Sequence, residues 1–338
     1  MLKDIKDIIR SLCDTSGVSG NEYEASKKVR ELLSEYCETR TDALGNVIGH
    51  IEGDGAHILL DAHIDRIGFV VTSVDECGFV KASKCGGSDI RVLPAGEAVV
   101  FGKETVYGVF TSTPPHLKKD EKGNKASDDI YIDTGLSSAR DIIRPGDRAI
   151  LKNNWRELLG GRVASGALDD RAGAAAILRC LELLKYEEHN CEITVLFSVQ
   201  EETTGGGAVT GAFQTNADEA IVVDVSFALA PDIEKEKAKP LGGGVLIGVS
   251  PSLDYDLSEE LKLTAENEDI PFSIEAMGGG TGTNADDIRT SGEGIKTALL
   301  SIPQRNMHTG VEVCDISDIE DTARLLAAYI TERGALND

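Results

Sequence analysis

The sequence lacks a long uninterrupted run of apolar residues. Its best candidate for a membrane span, Ala172 to Leu184, is shorter than the roughly 18 apolar residues that a membrane helix needs and contains Arg179 and Glu182. The first residues alternate charged with apolar side chains and lack the hydrophobic core of a signal peptide. We therefore expect a soluble protein that is not exported by that route.

Basic residues and closely spaced cysteines are also scarce. The chain has 34 lysines and arginines against 58 aspartates and glutamates, a formal net charge of −24, so nucleic acid and anionic membrane surfaces would repel it. The cysteines are odd in number and include no C-x-x-C pair, which is typical of reduced thiols and favours a cytoplasmic location. They are Cys13, Cys37, Cys77, Cys85, Cys180, Cys191 and Cys314.

The 338 residues, 41% of them hydrophobic, suffice for about two domains. Apolar spacing predicts two helices at the start, and after residue 160 predicted helices alternate with apolar strands. Between residues 69 and 157 short β-rich runs are separated by Gly, Pro, Asp and Lys clusters, with a solvated loop expected at 116–129. We therefore predict an α/β protein with a mostly parallel sheet flanked by helices. Residues 1–68 and 159–338 would form its catalytic domain, and residues 69–158 an inserted, β-barrel-like all-β domain.

Side chains that bind metals follow four of the predicted strands and open one predicted helix. Parallel sheets place ligand sites outside the carboxyl ends of their strands, so we expect these residues to meet at one edge. The strand-end residues are His63, Asp65, Glu201, Glu202, Asp224 and His308, and Asp169 opens the helix.

Two histidines with several carboxylates suit zinc, cobalt or manganese, whereas a thiolate-rich set would suggest structural zinc. With Asp169 bridging, one ion would take His63 and Asp224 and the other would take Glu202 and His308. This arrangement leaves open positions for water and substrate.

Two further carboxylates have predicted roles beside the ions. Asp65, two residues after His63, would accept the imidazole N–H that does not face the metal. Glu201 and Glu202 point in opposite directions if the chain is extended, so Glu202 is assigned to metal and Glu201 to the general base. The natural reaction of such a site is amide hydrolysis.

Each residue alone has an ordinary structural interpretation. The pair Asp169-Asp170 could cap a helix, and Glu201-Glu202 before Thr203-Thr204-Gly205 could be an acidic turn. The remaining histidines, His50, His57, His116 and His189, are expected to be structural. The coincidence of five groups at successive element ends is what indicates a metal site.

At these residues the chain resembles the glutamyl or tetrahedral aminopeptidase family, cytosolic metallopeptidases with two cooperating ions, some of them called deblocking aminopeptidases or endoglucanase-like proteins. The matching segments run in family order over nearly the whole chain. They are Gly17 to Gly20, Asp42 to Asn46, Ala62 to Phe69, Ala167 to Arg171, Val199 to Glu202, Val223 to Val225 and Ser301 to His308.

The resemblance implies a phosphorylase/hydrolase-like fold of the zinc-exopeptidase type and an aminopeptidase that acts on short peptides with two divalent ions per subunit, zinc or cobalt before manganese. It gives ligand roles to His63, Asp169, Glu202, Asp224 and His308, the base to Glu201 and the orienting role to Asp65. It also implies that the β insertion mediates dimerisation and that dimers assemble further, as in a dodecamer. The chain departs from the family pattern at four positions. Arg66 stands where the family usually has Glu, Asn284 stands where Asp is expected, and Gln304 and Asn306 replace Leu and Tyr. A preference for N-terminal glutamate therefore does not carry over to this chain.

Three other functions remain open from the sequence. A deacylase of N-acyl amino acids could use the same metal centre. A glycosidase that uses Glu201 with another acid would leave His63 and His308 unexplained. A binding or assembly protein with a decayed site is a non-enzymatic alternative, which the intact ligand set disfavours and Arg66 mildly favours.

Overall fold

The computed structural model describes residues 3–112, 114, 116, 130–231, 233–235 and 238–335. Residues 117–129 of the predicted loop lie outside these ranges. The described chain forms an eleven-stranded sheet flanked by helices and, separately, a closed barrel of six strands.

Seven α-helices occur in the described ranges. The first two confirm the helices predicted at the start of the chain, and α3, α5 and α7 confirm those predicted after residue 160. Their bounds are α1 Ile5–Cys13, α2 Tyr23–Leu33, α3 Leu168–Leu184, α4 Gly206–Phe213, α5 Tyr255–Asn267, α6 Ala285–Ile288 and α7 Ile316–Ala335.

The large sheet has the strand order β1-β2-β12-β3-β13-β16-β17-β11-β10, and β14 leaves this path to pair with β15 and β16. Its strands are β1 Glu38–Thr41, β2 Val47–Ile51, β3 His57–His63, β10 Arg156–Leu158, β11 Arg162–Ser165, β12 Glu192–Ser198, β13 Glu219–Phe227, β14 Val245–Val249, β15 Phe272–Ala276, β16 Lys296–Arg305 and β17 Glu312–Asp315.

The sheet is mixed, so the prediction of a mostly parallel sheet is wrong for the sheet as a whole. Its centre, β12-β3-β13-β16, is parallel, as is the pair β14-β15. The other pairings, which include β1 with β2 and β16 with β17, are antiparallel. The four central strands are apolar on both faces because helices cover both.

Helices pack on both faces of these central strands. On one face α1, α3, α5 and α7 share a core with strand residues such as Leu60, Phe197 and Val223. On the other face α4 and α6 pack on Leu59, Leu196 and Val222, the alternate positions of the same strands. This burial fixes the register, and with it the residues at the carboxyl ends of the strands.

The barrel closes in the order β4-β5-β8-β7-β6-β9, with antiparallel pairing between neighbours. Its bounds are β4 Gly68–Val74, β5 Val80–Cys85, β6 Glu97–Phe101, β7 Thr105–Phe110, β8 Ile130–Asp133 and β9 Arg148–Leu151. It encloses its own core around Phe69, Val100 and Ile132. Residues 156–158, which the sequence assigned to the insertion, instead form β10 in the large sheet, because they pair with β11.

All seven cysteines are free. In the part of the chain that the structure describes, no helix combines the length and the apolar character needed to cross a membrane.

Candidate metal centre

Five predicted ligands meet at the carboxyl ends of the central strands. His63 ends β3, Asp224 lies within β13, and Glu202 follows β12 by four residues. His308 follows β16, and Asp169 lies in the first turn of α3. Parallel strands deliver their carboxyl ends to one edge, which explains why residues far apart in sequence converge there.

The first group consists of His63, Asp169 and Asp224, all buried. Nε2 of His63 lies 3.1 Å from Oδ1 of Asp169 and 4.0 Å from Oδ1 of Asp224. One ligand atom from each residue lies within 4.8 Å of the others. Since zinc binds nitrogen and oxygen at about 2.0–2.2 Å, this spacing suits ligands around one ion.

The second group consists of Asp169, Glu202 and His308. Nε2 of His308 lies 3.2 Å from Oδ2 of Asp169 and 3.4 Å from Oε2 of Glu202. Asp169 therefore belongs to both groups, with a different oxygen facing each histidine.

The electrostatics of the site fit a cation. Burial raises the pKa of Asp224 and of Glu202 well above the usual range, and the charge of Asp169 raises both further. Although burial opposes it, hydrogen bonds from His308 and His63 hold the pKa of Asp169 below its ordinary value. A hydrogen bond to Asp169 in turn raises the pKa of His308 to about 9. The buried carboxylates repel one another, and divalent ions bound between them and the two imidazoles would relieve this repulsion.

Asp65 holds both the first histidine and the segment that carries the two glutamates. Its backbone carbonyl lies 3.2 Å from Nδ1 of His63, and its carboxylate Oδ1 lies 3.4 Å from the same nitrogen. Its two carboxylate oxygens accept the backbone N–H groups of Glu201, at 3.0 Å, and Glu202, at 3.2 Å. A proton on Nδ1 leaves Nε2 of His63 as the nitrogen that faces Asp169. No sequence pattern indicates that the carboxylate of Asp65 accepts the backbone N–H groups of Glu201 and Glu202.

The sequence left open whether Asp169 and Asp170 cap a helix or face a metal site, and the two residues differ in this respect. Asp170 is buried and its Oδ1 accepts the N–H of Gly173 at 3.1 Å, which caps the first turn of α3. Asp169 instead faces the two histidines. The peptide bond between the two aspartates is cis.

A cleft of about 360 Å³ opens onto both groups. Glu201 lies in this cleft, with Oε2 3.9 Å from Nε2 of His63 and about a fifth of its side chain exposed. The other lining residues are Gly87, Asp169, Glu202, Asp224, Val225, Ser226, Phe227, Thr281, Gly282, Thr283, Met307 and His308.

The sequence and the fold have close parallels among known proteins. The family model described as M42 glutamyl aminopeptidase matches residues 45–325, most of the chain. The chain belongs to the M42 glutamyl aminopeptidase family. Members of the M42 family are metal-dependent aminopeptidases, and this chain is a peptide hydrolase of that class, as the resemblance in its motifs predicted.

Relatives of this M42 peptidase match over nearly its full length. It is 32% identical to the lysyl aminopeptidase of Pyrococcus furiosus, over 96% of each chain. The TET aminopeptidase from the marine sediment archaeon Thaumarchaeota archaeon SCGC AB-539-E09 has a TM-score of 0.91 at 28% identity, with 97% of this chain and 96% of that chain covered. The Pyrococcus horikoshii TET1 peptidase, described as assembling into a tetrahedron or a large octahedral shell, has a TM-score of 0.83 at 28% identity, with 97% and 100% covered.

Two neighbours of the candidate site in this M42 peptidase carry no signal in the sequence. Glu312 is buried, and its two oxygens accept the backbone N–H groups of His308, at 3.1 Å, and Asp169, at 3.2 Å. Gly87, from the barrel, is so close to His308 that a Cβ there would lie 2.6 Å from Nδ1. A lone Glu or Gly in a loop is too common to be recognised without its spatial neighbours.

The departures from the family pattern lie outside the cleft lining. Arg66 is buried and donates to Oδ1 of Asn153 at 2.7 Å. Asn284 is buried on the sheet and donates to Asp61 at 2.9 Å and to Ser198 at 2.8 Å. Gln304 is buried within β16. These three residues contact the protein interior rather than line the cleft, and Asn306 is exposed and donates to the backbone carbonyl of Val311 at 3.1 Å.

Proposed function

We propose that the site binds two divalent metal ions and removes N-terminal residues from short peptides. The observation that carries this proposal is the position of Asp169, whose two oxygens lie 3.1 Å and 3.2 Å from the Nε2 atoms of His63 and His308. One carboxylate placed between two histidines is the arrangement expected of a ligand shared by two ions.

His63, Asp169 and Asp224 would hold one ion, and Asp169, Glu202 and His308 the other. This nitrogen and oxygen set suits zinc or cobalt, with manganese as the third choice. When bound, two such ions lower the pKa of water toward roughly 7 and stabilise negative charge on the carbonyl oxygen of the substrate.

Glu201 is the proposed general base. Its carboxylate lies in the cleft beside His63 but belongs to neither ligand group. It would take a proton from the attacking water and give it to the leaving amine. Asp65 would keep Glu201 in place, because one oxygen of Asp65 accepts the backbone N–H of that residue.

The lining of the cleft is acidic on the side of the proposed ions and partly apolar elsewhere. Four carboxylates line it, those of Asp169, Glu201, Glu202 and Asp224, with His308 as the single titratable base among the lining residues. Two divalent ions would balance these four negative charges. Phe227 and Met307 offer apolar surface for side chains of the substrate.

We also propose that the barrel, predicted as the insertion 69–158, is a separate domain that mediates dimerisation, with assembly toward a dodecamer. Its strand β7 exposes Tyr107 and Val109, apolar residues that association would bury. The shell described for the TET1 relative supports assembly. The cytoplasmic location stays a prediction, supported by the free cysteines.

The proposed activity is tested by incubating the protein with unblocked short peptides and measuring the free amino acids released. We expect release that a chelator abolishes and that zinc or cobalt restores. Hydrolysis of N-acylated substrates alone would instead identify a deacylase, and bound metal without turnover on a broad panel would identify a decayed site.

The base is tested by Glu201→Gln, which keeps the size of the side chain and removes the proton acceptor. We expect metal content equal to that of the wild type and turnover lower by about 10²–10⁴-fold. Glu188→Gln, at an exposed position in the loop after α3, is the matched control and keeps full turnover. Turnover of Glu201→Gln near the wild-type value would contradict the assignment.

A further inference from the structure

A second group of metal-binding side chains lies at the other end of the central strands. His57 begins β3, Glu192 begins β12 and His50 lies on β2, which flanks β12 on its other side. In the register His57 is opposite Glu192, and His50 is opposite Thr194. All four side chains point to the same sheet face because 192 and 194 are two residues apart on one strand.

The distances suit three ligands around a single ion. Oε1 of Glu192 lies 3.6 Å from Nδ1 of His57 and 3.6 Å from Nε2 of His50. Ligand atoms at about 2.1 Å from a tetrahedral ion are separated by about 3.4 Å, close to these values. One ligand atom from each of the three residues lies within 4.8 Å of the others.

Thr194 orients both imidazoles toward Glu192. Its hydroxyl oxygen lies 2.8 Å from Nε2 of His57 and 3.5 Å from Nδ1 of His50. With Nε2–H of His57 donated to this hydroxyl, the unprotonated Nδ1 faces Glu192. A polar partner on the far nitrogen is the arrangement that fixes the tautomer of metal-binding histidines.

The group is accessible from solvent. It lines a cleft of about 460 Å³ together with Arg40, Gln214 and Asp218, among others. Arg40 donates to Gln214 at 2.7 Å, and Asp218 accepts the backbone N–H of His57 at 2.9 Å, so these two charged neighbours already have partners. The side chain of His50 is 45% exposed and that of His57 12%, so an ion can reach the site and keep water ligands.

We propose that His50, His57 and Glu192 bind a divalent transition-metal ion, zinc above all, at a site separate from the proposed catalytic centre. Two imidazoles and one carboxylate with an open position are ligands that zinc, cobalt and nickel accept. The site lies about 20 Å from His63, the length of β3 at 3.3 Å per residue. The ion joins β2, β12 and β3 at the end opposite the peptide cleft.

The test is a zinc titration of the metal-free protein, with bound zinc per chain measured by elemental analysis. We expect the double variant His50→Gln/His57→Gln to bind one ion fewer than the wild type. His116→Gln, which changes an exposed histidine outside all three groups, binds as many as the wild type. Because the result is a difference between proteins, it holds whatever the number of ions at the catalytic centre.

The position of the ion is tested by anomalous diffraction at the zinc edge from soaked crystals. We expect a peak between His50, His57 and Glu192 that the double variant lacks, with unchanged peptide hydrolysis. The variant His50→Gln, at the most exposed ligand, is expected to lower zinc affinity at this site at least tenfold if the double variant does not fold. Equal zinc content in wild type and variants, with no peak at this group, would mean that these side chains form only an ion pair and would overturn the proposal.

Discussion

Glu312 fixes the backbone of two proposed ligands at once. Its carboxylate accepts one N–H from His308 and one from Asp169, residues separated by more than a hundred positions in the chain. It is buried and lies near the positive charge of Arg66. Such a carboxylate orients the ligands without itself facing the substrate cleft.

We therefore expect Glu312→Gln to weaken metal binding. The amide has a single acceptor oxygen, so one of the two backbone N–H groups would face an NH₂ donor. Loss of contacts behind metal ligands typically costs 10–100-fold in affinity. The measurement is zinc affinity by competition with a chelator, with the exposed Glu293→Gln as control. Unchanged zinc affinity would show that Glu312 does not position the ligands.

At the scale of single residues, the sequence predicts the groups that carry distinctive chemistry at strand ends. His63 and His308 could be recognised because metal-binding types follow apolar strands, and Asp169 because it opens a predicted helix. Glu312 could not, because it acts on backbone groups that only the folded chain brings to it. The burial of Arg66 against Asn153, away from the cleft lining, is equally invisible in the sequence.

Among the structural elements, the barrel contributes directly to the edge of the sheet that carries the proposed metal ligands. The loop after β5 places Gly86 and Gly87 against the glutamate and histidine of the second ligand group. A Cβ on Gly86 would lie 3.3 Å from Oε2 of Glu202, and one on Gly87 would lie 2.6 Å from Nδ1 of His308. The insertion therefore limits where His308 can be.

Gly87→Ala tests this contact. Since real Cβ atoms do not approach other atoms at 2.6 Å, His308 or the loop must move, and we expect the variant to lose zinc from the second group and at least tenfold in turnover. Gly278→Ala is the control, because a Cβ there meets nothing within 4 Å. Full activity in Gly87→Ala would show that the loop moves freely.

Helix α7 carries a pH-dependent contact. Oδ2 and Oδ1 of Asp318, in its first turn, accept the N–H groups of Gly242 and Gly244, each at 2.8 Å. Burial nevertheless raises the pKa of Asp318 from 3.8 to about 6. A carboxyl with a higher pKa in the folded chain releases its proton on unfolding, so its contribution to stability falls as pH rises from about 4 to about 6.

Asp318→Asn removes this titration. We expect the free energy of unfolding of the wild type, relative to that of the variant, to decrease between about pH 4 and pH 6 and to stay constant above. Urea unfolding at several pH values, with the metal content held constant, measures the difference. A difference independent of pH over this range would contradict the raised pKa.

Helices and strands with a strong apolar pattern could be predicted from the sequence. Strands that form mainly because they pair with a neighbouring strand could not. Helix α3 and strands β12 and β16 coincide with apolar runs in the sequence. Strand β17, of four residues, contains no apolar run and could not be predicted, because such a short strand gains its stability from pairing rather than from intrinsic preference.

On the scale of the whole molecule, the alternation of helix and strand predicts the central parallel strands but not the edges of the sheet. The four central strands are parallel as expected, whereas the chain returns through antiparallel pairs such as β16 with β17 and β11 with β10. The direction of an added edge strand depends on the short connection that precedes it, and both directions satisfy the same apolar pattern. The sequence therefore predicts the layers better than the complete topology.

The net charge of −24 bears on the proposed assembly. Copies of the chain repel one another at long range, and the range of this repulsion falls from about 30 Å at 0.01 M salt to about 10 Å at 0.1 M. We therefore expect the proposed oligomers to become more populated as sodium chloride rises over this interval. Analytical ultracentrifugation at fixed protein concentration measures the distribution, with sucrose of equal osmolality as the uncharged control. Dissociation on adding salt would mean that ion pairs between subunits, rather than burial of residues such as Tyr107 and Val109, hold the assembly together.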